Sequence, residues 1–270
     1  MAFEMNAVVQ HRMEVAPGLL VLRVSPVGWT LNEFLPGQFT TIGLPGSAAR
    51  IERADAEETA ADPDKLIRRA YSIASSSKEK QYLEFYIRLV HSGALSPRLF
   101  NLKVGDKLWV SPKITGMFTL SDVPDDKHIL FFATGTGLAP YMSMLRTDLQ
   151  CGKGRKYAVV HGAENSWDLG YQSELILIQR FCSDFTYMPI IDRPEREVTP
   201  WTGEVGFVNK LWEERYFEKK WELNLTPENS RVFLCGNPLM IKGMLEMLEK
   251  EGFTEHTRRN PGSIILEKFW

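Results

Sequence analysis

The alternation of apolar strands with helical segments in the second half of the chain limits the fold most strongly. After a polar, proline-bearing segment at 121–128, the apolar run HILFFATG leads into the helical pattern GLAPYMSMLRTDL. Further apolar strands and helical segments alternate to residue 250, and residues 206–221 are predicted to form a single helix. Such alternation predicts a parallel sheet covered on both faces, and so an α/β domain over 127–270.

The first half reads instead as short strands, rich in β-branched and aromatic residues, with turn signals between them. In YLEFYIRLV (82–90), apolar Leu83 and Phe85 alternate with Glu84 and Tyr86, which predicts a strand buried on one face only. Several short strands at this spacing favour a small antiparallel β-barrel, here over 1–122. The predicted fold class is therefore two-domain, a β-barrel followed by an α/β domain.

Residues 46–66 stand apart, because they contain six acidic residues, several alanines and little to bury. The composition predicts a mobile loop or a solvated hairpin. A tolerated surface insertion is the favoured interpretation, and a partner-selecting or cofactor-covering element is the alternative.

The overall composition excludes several classes of protein. A net charge of −2 gives no general attraction to nucleic acid or to a membrane, and the apolar runs are too short to span a bilayer. The N-terminus lacks the basic start and apolar core of a signal peptide. The cysteines at 151, 182 and 235 form no close pair in sequence, which predicts reduced thiols, a cytoplasmic location and no built-in iron–sulfur cluster.

The stretch RRAYS (68–72) groups an arginine, an aromatic residue and a serine. In a strand, Arg69 and Tyr71 project from one face, and Ser72 projects from the other. An arginine can hold a pyrophosphate with two hydrogen bonds, and an aromatic ring beside it offers a stacking surface. A flavin dinucleotide would suit this pair, although a surface arginine beside a barrel tyrosine would look the same.

The stretch HSGALSPRL (91–99) is a glycine-led turn that becomes helical. Ser96 is the predicted helix N-cap, with Pro97 at the first helical position. The exposed amides of such a helix start favour anions, although a routine helix cap is an equally good interpretation.

Two later stretches share a strand–turn–helix form, ATGTGLAP (133–140) and LCGNPLM (234–240). The glycines of the first let the backbone approach a phosphate closely, although the full GxGxxG fingerprint is not present. The second places Cys235 at the carboxyl edge of the predicted sheet, where α/β proteins bind ligands. A plain strand–helix turn and an inert core cysteine are the competing interpretations.

Taken in order, RAYS, GALSPRL, ATGTGLAP, LCGNPLM and the ending LEKFW resemble the bacterial ferredoxin/flavodoxin–NADP reductases over almost the whole chain. The resemblance implies that the barrel binds FAD and that the α/β domain binds NADP(H). It implies that Arg69 pairs with the flavin pyrophosphate, that Tyr71 stacks on the flavin and that Ser72 approaches flavin N5. Cys235 would stand near the nicotinamide, and Glu267 is a candidate proton conduit.

The same resemblance implies further cofactor contacts along the chain. They are Ala70, Tyr86, Ala94, Leu95, Ser96, Thr134, Gly135, Thr136, Gly137, Pro140, Arg193, Arg196, Gly236, Asn237, Pro238, Phe269 and Trp270.

The implied activity transfers electrons between NADPH, which gives a hydride, and a separate ferredoxin or flavodoxin, which accepts one electron at a time. No metal is required, and the chain is expected to be a monomer that binds neither membrane nor nucleic acid. Basic residues near the motifs are candidate contacts for an acidic carrier, namely Arg68, Arg98, Lys103, Arg258 and Arg259.

One departure from the family pattern concerns the dinucleotide. Glu164 and Glu204 stand where the family typically places arginines for the 2′-phosphate of NADP, and only Arg193 matches, with Arg196 close by. Carboxylates repel a phosphate but can hydrogen-bond the ribose hydroxyls of NAD(H). NADP(H) is preferred, and two alternatives stay open: an NADH-dependent reductase that feeds the iron–sulfur protein of an oxygenase, and a non-catalytic flavin- or nucleotide-sensing subunit.

Overall fold

A computed structural model describes residues 4–268 of the chain. Its contacts divide the chain into two compact units, the first formed by residues up to 120 together with 139–148, and the second by 121–138 together with the residues from 149 on. The domain boundaries predicted from the sequence, 1–122 and 127–270, remain a prediction. Within the described residues, no helix has the length and apolar character needed to cross a membrane.

The first unit is built on six strands whose neighbours are all antiparallel, in the order β4-β3-β6-β1-β2-β5. The strands are β1 (Ala7–Ala16), β2 (Leu19–Pro26), β3 (Phe39–Pro45), β4 (Leu66–Ser72), β5 (Leu83–Arg88) and β6 (Lys107–Thr115). A bridge between Ile73 and Phe85 joins the two edge strands, so the sheet closes on itself. The unit also contains the helices α1 (Ser96–Asn101) and α2 (Ala139–Asp148).

The second unit contains six strands that are all parallel to their neighbours, in the order β10-β9-β8-β7-β11-β12. The strands are β7 (His128–Thr134), β8 (Tyr157–Ala163), β9 (Phe185–Ile191), β10 (Glu204–Val205), β11 (Ser230–Cys235) and β12 (Ile264–Glu267). The helices are α3 (Gln172–Phe181), α4 (Asn209–Glu213), α5 (Tyr216–Trp221) and α6 (Pro238–Lys250). The predicted fold class, an antiparallel β unit and a parallel α/β unit, is confirmed.

Strand β7 lies in the interior of the parallel sheet, and its residues from Ile129 to Ala133 are completely buried. A strand covered on both faces needs a continuous apolar run rather than an alternating one, which is why HILFFATG lacks period-two patterning. The ring of Phe131 contacts that of Phe233 on β11 at 5.4 Å between centroids, and Phe132 contacts Trp212 at 6.3 Å. These contacts place the core of the unit along β7 and β11.

The prediction that β5 is buried on one face only was wrong. Glu84 on its polar face is 1% exposed and accepts hydrogen bonds from Arg23 Nε and Arg146 Nη1, each at 2.6 Å. Arg146 lies on α2, a helix of the same unit, and also donates to the carbonyl of Ala74. The alternation in the sequence therefore marks a face that carries a buried, paired charge rather than a solvated face.

Three smaller expectations also change. The single helix predicted over 206–221 is two short helices, α4 and α5, separated at Arg215, which has a positive φ of 53°. Strands β1, β10 and β12 were not predicted. Residues 46–66 form an irregular and mostly exposed segment, as expected, but it is anchored to α1 and to the turn before it, since the amide of Ile51 donates to Pro97 O and that of Asp55 donates to His91 O.

The expectation of three unpaired thiols was wrong. Cys151 and Cys182 form a disulfide whose Cα atoms are 5.4 Å apart, and Cys235 alone is free and is buried. The two partners are 31 residues apart in sequence, and they meet because they lie in the connections that lead into the neighbouring parallel strands β8 and β9. The cysteines therefore no longer support the expectation of a reducing location.

Replacing Glu84 with Ala tests the buried charge of the first unit. We expect this change to lower the free energy of unfolding by about 3 kcal/mol, because the buried carboxylate is the partner of both Arg23 and Arg146, and Arg146 is itself largely removed from solvent. Urea unfolding measures the effect, with Glu52→Ala, at an exposed position, as a control expected to stay within about 0.5 kcal/mol of the parent. Equal stability of the two variants would contradict a stabilising role for the ion pairs of Glu84 with Arg23 and Arg146.

Candidate functional site

The carboxyl edge of the parallel sheet brings two of the sequence motifs together. Strands β7 and β11 are neighbours, with Ala133 opposite Cys235. The turn Gly135–Leu138 after β7 and the turn that leads from Cys235 into α6 therefore lie side by side. Two stretches separated by about a hundred residues in sequence form one edge of the sheet.

Glycines make this close approach possible. A Cβ atom added to Gly137 would lie 2.3 Å from the carbonyl oxygen of Cys235, and one added to Gly236 would lie 2.2 Å from Thr134 Oγ1. Gly236 also has a φ of +135°, which residues with a side chain rarely adopt. The hydroxyl of Thr134 accepts a hydrogen bond of 2.7 Å from the amide of Asn237. The two turns are thus fixed against each other by backbone contacts that leave no room for side chains.

Helix α6 begins directly at this edge. The side chain of Asn237 accepts a 2.8 Å hydrogen bond from the amide of Leu239 and so caps the helix, and Pro238 occupies its first turn. Asn237 and Pro238 are exposed, whereas Pro140 is buried at the start of α2. An exposed helix start carries a partial positive charge, which favours an anionic ligand group.

Cys235 and Glu267 occupy equivalent positions on the neighbouring strands β11 and β12. Cys235 is completely buried, and Glu267 is half-buried. Burial, and to a smaller extent the charge of Glu267, raise the pKa of the Cys235 thiol well above its usual range. Cys235 is therefore a neutral thiol near neutral pH and is not a thiolate nucleophile.

His161 was missed by the sequence analysis. It lies on β8 opposite Ala133 and is completely buried, with Nδ1 3.5 Å from Tyr187 Oη. Burial lowers the pKa of His161 to about 4, against a smaller opposing effect of the Gly135 backbone. His161 is thus a neutral group beneath the turn that follows β7, and a histidine inside the apolar run YAVVHG was the available signal.

Charged residues also lie at the ends of β8 and β9 and at the start of β10. The amide of Arg193 donates to the carbonyl of Glu164 at 2.9 Å, and Arg196 Nη1 lies 3.4 Å from Glu164 Oε2, with both side chains more than half exposed. Glu204 is paired with Lys210 Nζ at 2.8 Å. Each carboxylate that the sequence analysis expected to repel a phosphate therefore has a cationic partner, and Lys210 was not predicted.

In the first unit, β4 carries the residues of the RRAYS motif. Arg69 and Ala70 are exposed, Tyr71 is half-buried, and Ser72 is buried. The ring of Tyr71 meets that of Phe85 edge-on at 6.4 Å, and burial raises the pKa of Tyr71 to about 12, so its hydroxyl is neutral. Tyr86 is only 3% exposed, which leaves little of its side chain for a ligand.

The prediction of Ser96 as the helix N-cap was wrong. The N-cap of α1 is Leu95, which makes no side-chain capping bond. The hydroxyl of Ser96 instead accepts a 3.0 Å hydrogen bond from the amide of Val90 and closes the turn at 90–96. Arg98, proposed as a docking charge, is buried and paired with Glu57.

The structure thus brings together Thr134, Gly137, Cys235, Gly236 and Glu267 in one unit, and Glu164, Arg193 and Arg196 at a neighbouring part of the same sheet edge. Phe269 and Trp270 lie outside the described residues. The role of each of these residues toward a cofactor stays a prediction.

Two family models match the chain. Residues 35–116 match the oxidoreductase FAD-binding domain, and residues 131–246 match the oxidoreductase NAD-binding domain. The fold and these matches define the class: the protein is an oxidoreductase with an FAD-binding domain followed by an NAD-binding domain.

Relatives define the family within that class. The flavodoxin/ferredoxin–NADP reductase of Buchnera aphidicola subsp. Baizongia pistaciae is 32% identical over 241 residues, 89% of each chain, and that of Escherichia coli K12 is 32% identical over 238 residues, 88% of each chain. A crystal structure of a ferredoxin NADP+ reductase from Neisseria gonorrhoeae with bound FAD and NADP shares the fold, with a TM-score of 0.77, 23% identity and 98% coverage of both chains. The chain belongs to the flavodoxin/ferredoxin–NADP reductase family.

Replacing Gly137 with Ala tests the contact between the two turns. The new methyl group would overlap Cys235 O, so we expect a loss of roughly 1–3 kcal/mol in stability and weaker binding of NADP+. The control is Gly243→Ala on α6, where a Cβ meets nothing and the helix should gain about 0.5–1 kcal/mol. Thermal unfolding and NADP+ titration measure stability and affinity for both variants. Unchanged NADP+ affinity in the Gly137 variant would contradict a role of this turn in binding NADP+.

Proposed function

We propose that the protein is a FAD-dependent reductase that exchanges electrons between NADPH and a one-electron carrier, ferredoxin or flavodoxin. The observation that carries the proposal is the close approach of the two turns at Gly137 and Gly236, at the carboxyl edge of the sheet and within the matched NAD-binding domain. Backbone that lies this close, beside an exposed helix start, suits the phosphates of a dinucleotide.

The residues of the first unit fit FAD. The guanidinium of Arg69 is exposed, and its described hydrogen bond is a 2.7 Å contact to the carbonyl of Arg68, so it can turn to an anionic group. Tyr71 presents a neutral, half-buried ring on the same face of β4. When bound, FAD would supply the conversion between a two-electron hydride and single electrons. Arg69 would hold its pyrophosphate, Tyr71 would stack on the ring system, and Ser72 would approach flavin N5.

The second unit would receive the nicotinamide nucleotide. Thr134 to Gly137 would hold the phosphates by backbone contact, and Gly236, next to the buried and neutral thiol of Cys235, would stand near the nicotinamide. Glu267 is the carboxylate next to Cys235 and would conduct protons at this edge. His161 is neutral and would contact the Gly135 backbone of this turn without adding a charge.

NADPH is the preferred electron donor. Arg193 and Arg196 are exposed at the sheet edge, and the pairing of Glu164 with Arg196 and of Glu204 with Lys210 offsets the repulsion expected from the two carboxylates. NADH is the second candidate for a specific reason. Glu164 directly follows β8, the strand next to β7, which is the position where dinucleotide-binding sheets carry the acid that binds ribose hydroxyls.

The electron carrier would be a separate protein of the ferredoxin or flavodoxin class. Arg68, Lys103, Arg258 and Arg259 are exposed and would contact an acidic carrier, whereas Arg98 is buried and would not. A cytoplasmic location and a monomeric state are also part of this proposal.

Arg69→Ala tests the FAD assignment. We expect the purified parent to be yellow and to bleach when NADPH is added without oxygen. Loss of a charge-assisted phosphate contact should raise the dissociation constant of FAD by about tenfold or more, as measured by flavin fluorescence during dialysis. Arg88→Ala, at an exposed position at the end of β5, is the matched control and should retain FAD as the parent does.

A colourless parent that takes up no FAD would overturn the proposed function. Full flavin retention by the Arg69 variant would leave the flavoprotein standing and remove Arg69 from the pyrophosphate site.

Arg193→Ala tests the donor preference. It should raise the Michaelis constant for NADPH about tenfold to hundredfold and that for NADH little, since only NADPH has a 2′-phosphate. Glu164→Arg should improve NADPH use, because it removes a carboxylate and releases Arg196 from its ion pair. Steady-state rates with both donors give the result, with Arg180→Ala at the end of α3 as control. A parent that prefers NADH, with no effect of Arg193→Ala, would contradict the NADPH assignment.

A further inference from the structure

Arg98 is a buried cation on α1 whose guanidinium has defined acceptors. Its side chain is 3% exposed. Nη1 donates to Glu57 Oε1 at 2.7 Å and Nη2 donates to Glu57 Oε2 at 3.0 Å, which makes a bidentate ion pair. The same two nitrogens also donate to the carbonyls of Ala94, at 2.6 Å, and Gly46, at 2.8 Å. Glu57 therefore orients a guanidinium that holds the backbone of the turn before α1.

Arg50 is a second arginine that shares Glu57. Its Nη1 lies 3.2 Å from Glu57 Oε1 and donates to the carbonyl of Gly93 at 2.8 Å. Its Nη2 donates to the carbonyl of His91 at 3.0 Å and to that of Asp55 at 2.7 Å. One carboxylate from the acidic segment 46–66 thus positions two arginines, and both hold carbonyls of the turn at 91–94.

Because the peptide bond is planar, a side chain that fixes a carbonyl group also fixes the direction of the N–H group of the next residue. The C=O of one residue and the N–H of the next lie in one plane and point in opposite directions. Arg50 on the Gly93 carbonyl therefore fixes the Ala94 N–H, and Arg98 on the Ala94 carbonyl fixes the Leu95 N–H. Neither N–H has an acceptor among the described residues.

The charges of the cluster favour an anion beside this turn. The hydrogen bond from Arg98 is the main cause that lowers the pKa of Glu57 to about 2, so Glu57 is ionised at neutral pH. Two guanidinium groups and one carboxylate leave one net positive charge next to two oriented N–H groups. Successive backbone N–H groups with a nearby cation form the usual setting for a bound phosphate.

We propose that Glu57 is a positioning residue for the pyrophosphate of bound FAD, acting through Arg50 and Arg98 on the N–H groups of Ala94 and Leu95. The inference rests on the proposed function and extends it, because it makes the acidic segment 46–66 part of the cofactor site rather than a surface insertion. Glu57 itself does not touch the cofactor.

The experiment compares Glu57→Gln with Glu58→Gln, a neighbouring exposed glutamate in the same segment. Dissociation constants are measured by fluorescence for FAD and for riboflavin, which has the same ring system but no phosphate. Glu57→Gln should raise the FAD constant about tenfold or more and change the riboflavin constant less than about twofold. Glu58→Gln should match the parent for both ligands.

Arg50→Met provides a second variant in case Glu57→Gln does not fold. It keeps the buried pair of Arg98 and Glu57 and releases the Gly93 carbonyl, so FAD binding should again weaken while riboflavin binding does not. The proposal is overturned if the folded variants bind FAD as the parent does, or if FAD and riboflavin weaken to the same extent, as a general loss of structure would cause. A parent that binds no FAD would overturn the proposed function as well, and the parent measurement shows this separately.

Discussion

The second unit depends on the contact between the ends of β7 and β11. Both strands are buried, both run in the same direction, and so their carboxyl ends deliver two loops to the same edge of the sheet. Gly137 and Gly236 let these loops meet at distances that any side chain would prevent. The place of Cys235 and the start of α6 follow from this alignment, and the pairing of β11 with β12 adds Glu267 beside Cys235.

In the first unit, carboxylates shared between two arginines hold together segments that are distant in sequence. Glu84 joins Arg23 and Arg146, and Glu57 joins Arg50 and Arg98, so that each links segments far apart in sequence. Burying such charges costs solvation free energy, and a paired charge in a low-dielectric setting is therefore weak evidence of stabilisation. Its geometric effect is clearer: each carboxylate fixes two guanidinium groups, which in turn fix backbone carbonyls.

Two kinds of titratable side chain lie along the carboxyl edge of the parallel sheet. Cys235 and His161 are buried next to the carboxyl edge and are neutral near neutral pH, because burial disfavours their charged forms. The charged groups Glu164, Arg196, Glu204 and Lys210 lie farther along the edge and form exposed or half-exposed pairs. This arrangement suits a dinucleotide. Its nicotinamide ring binds in a desolvated region, and its phosphates bind next to cationic side chains.

The sequence determined the class of both units, because strand alternation and strand–helix alternation are local properties of the chain, and its motifs in order identified the family. Local patterns could not show what covers each element. The polar face of β5 was expected to meet solvent, and only the packing of α2 showed that Glu84 is buried and paired. The disulfide, the Lys210–Glu204 pair and the anchoring of segment 46–66 by Glu57 were equally absent from the sequence analysis. Each joins residues through the path of the backbone in three dimensions, and no local pattern of residue types specifies such a pairing.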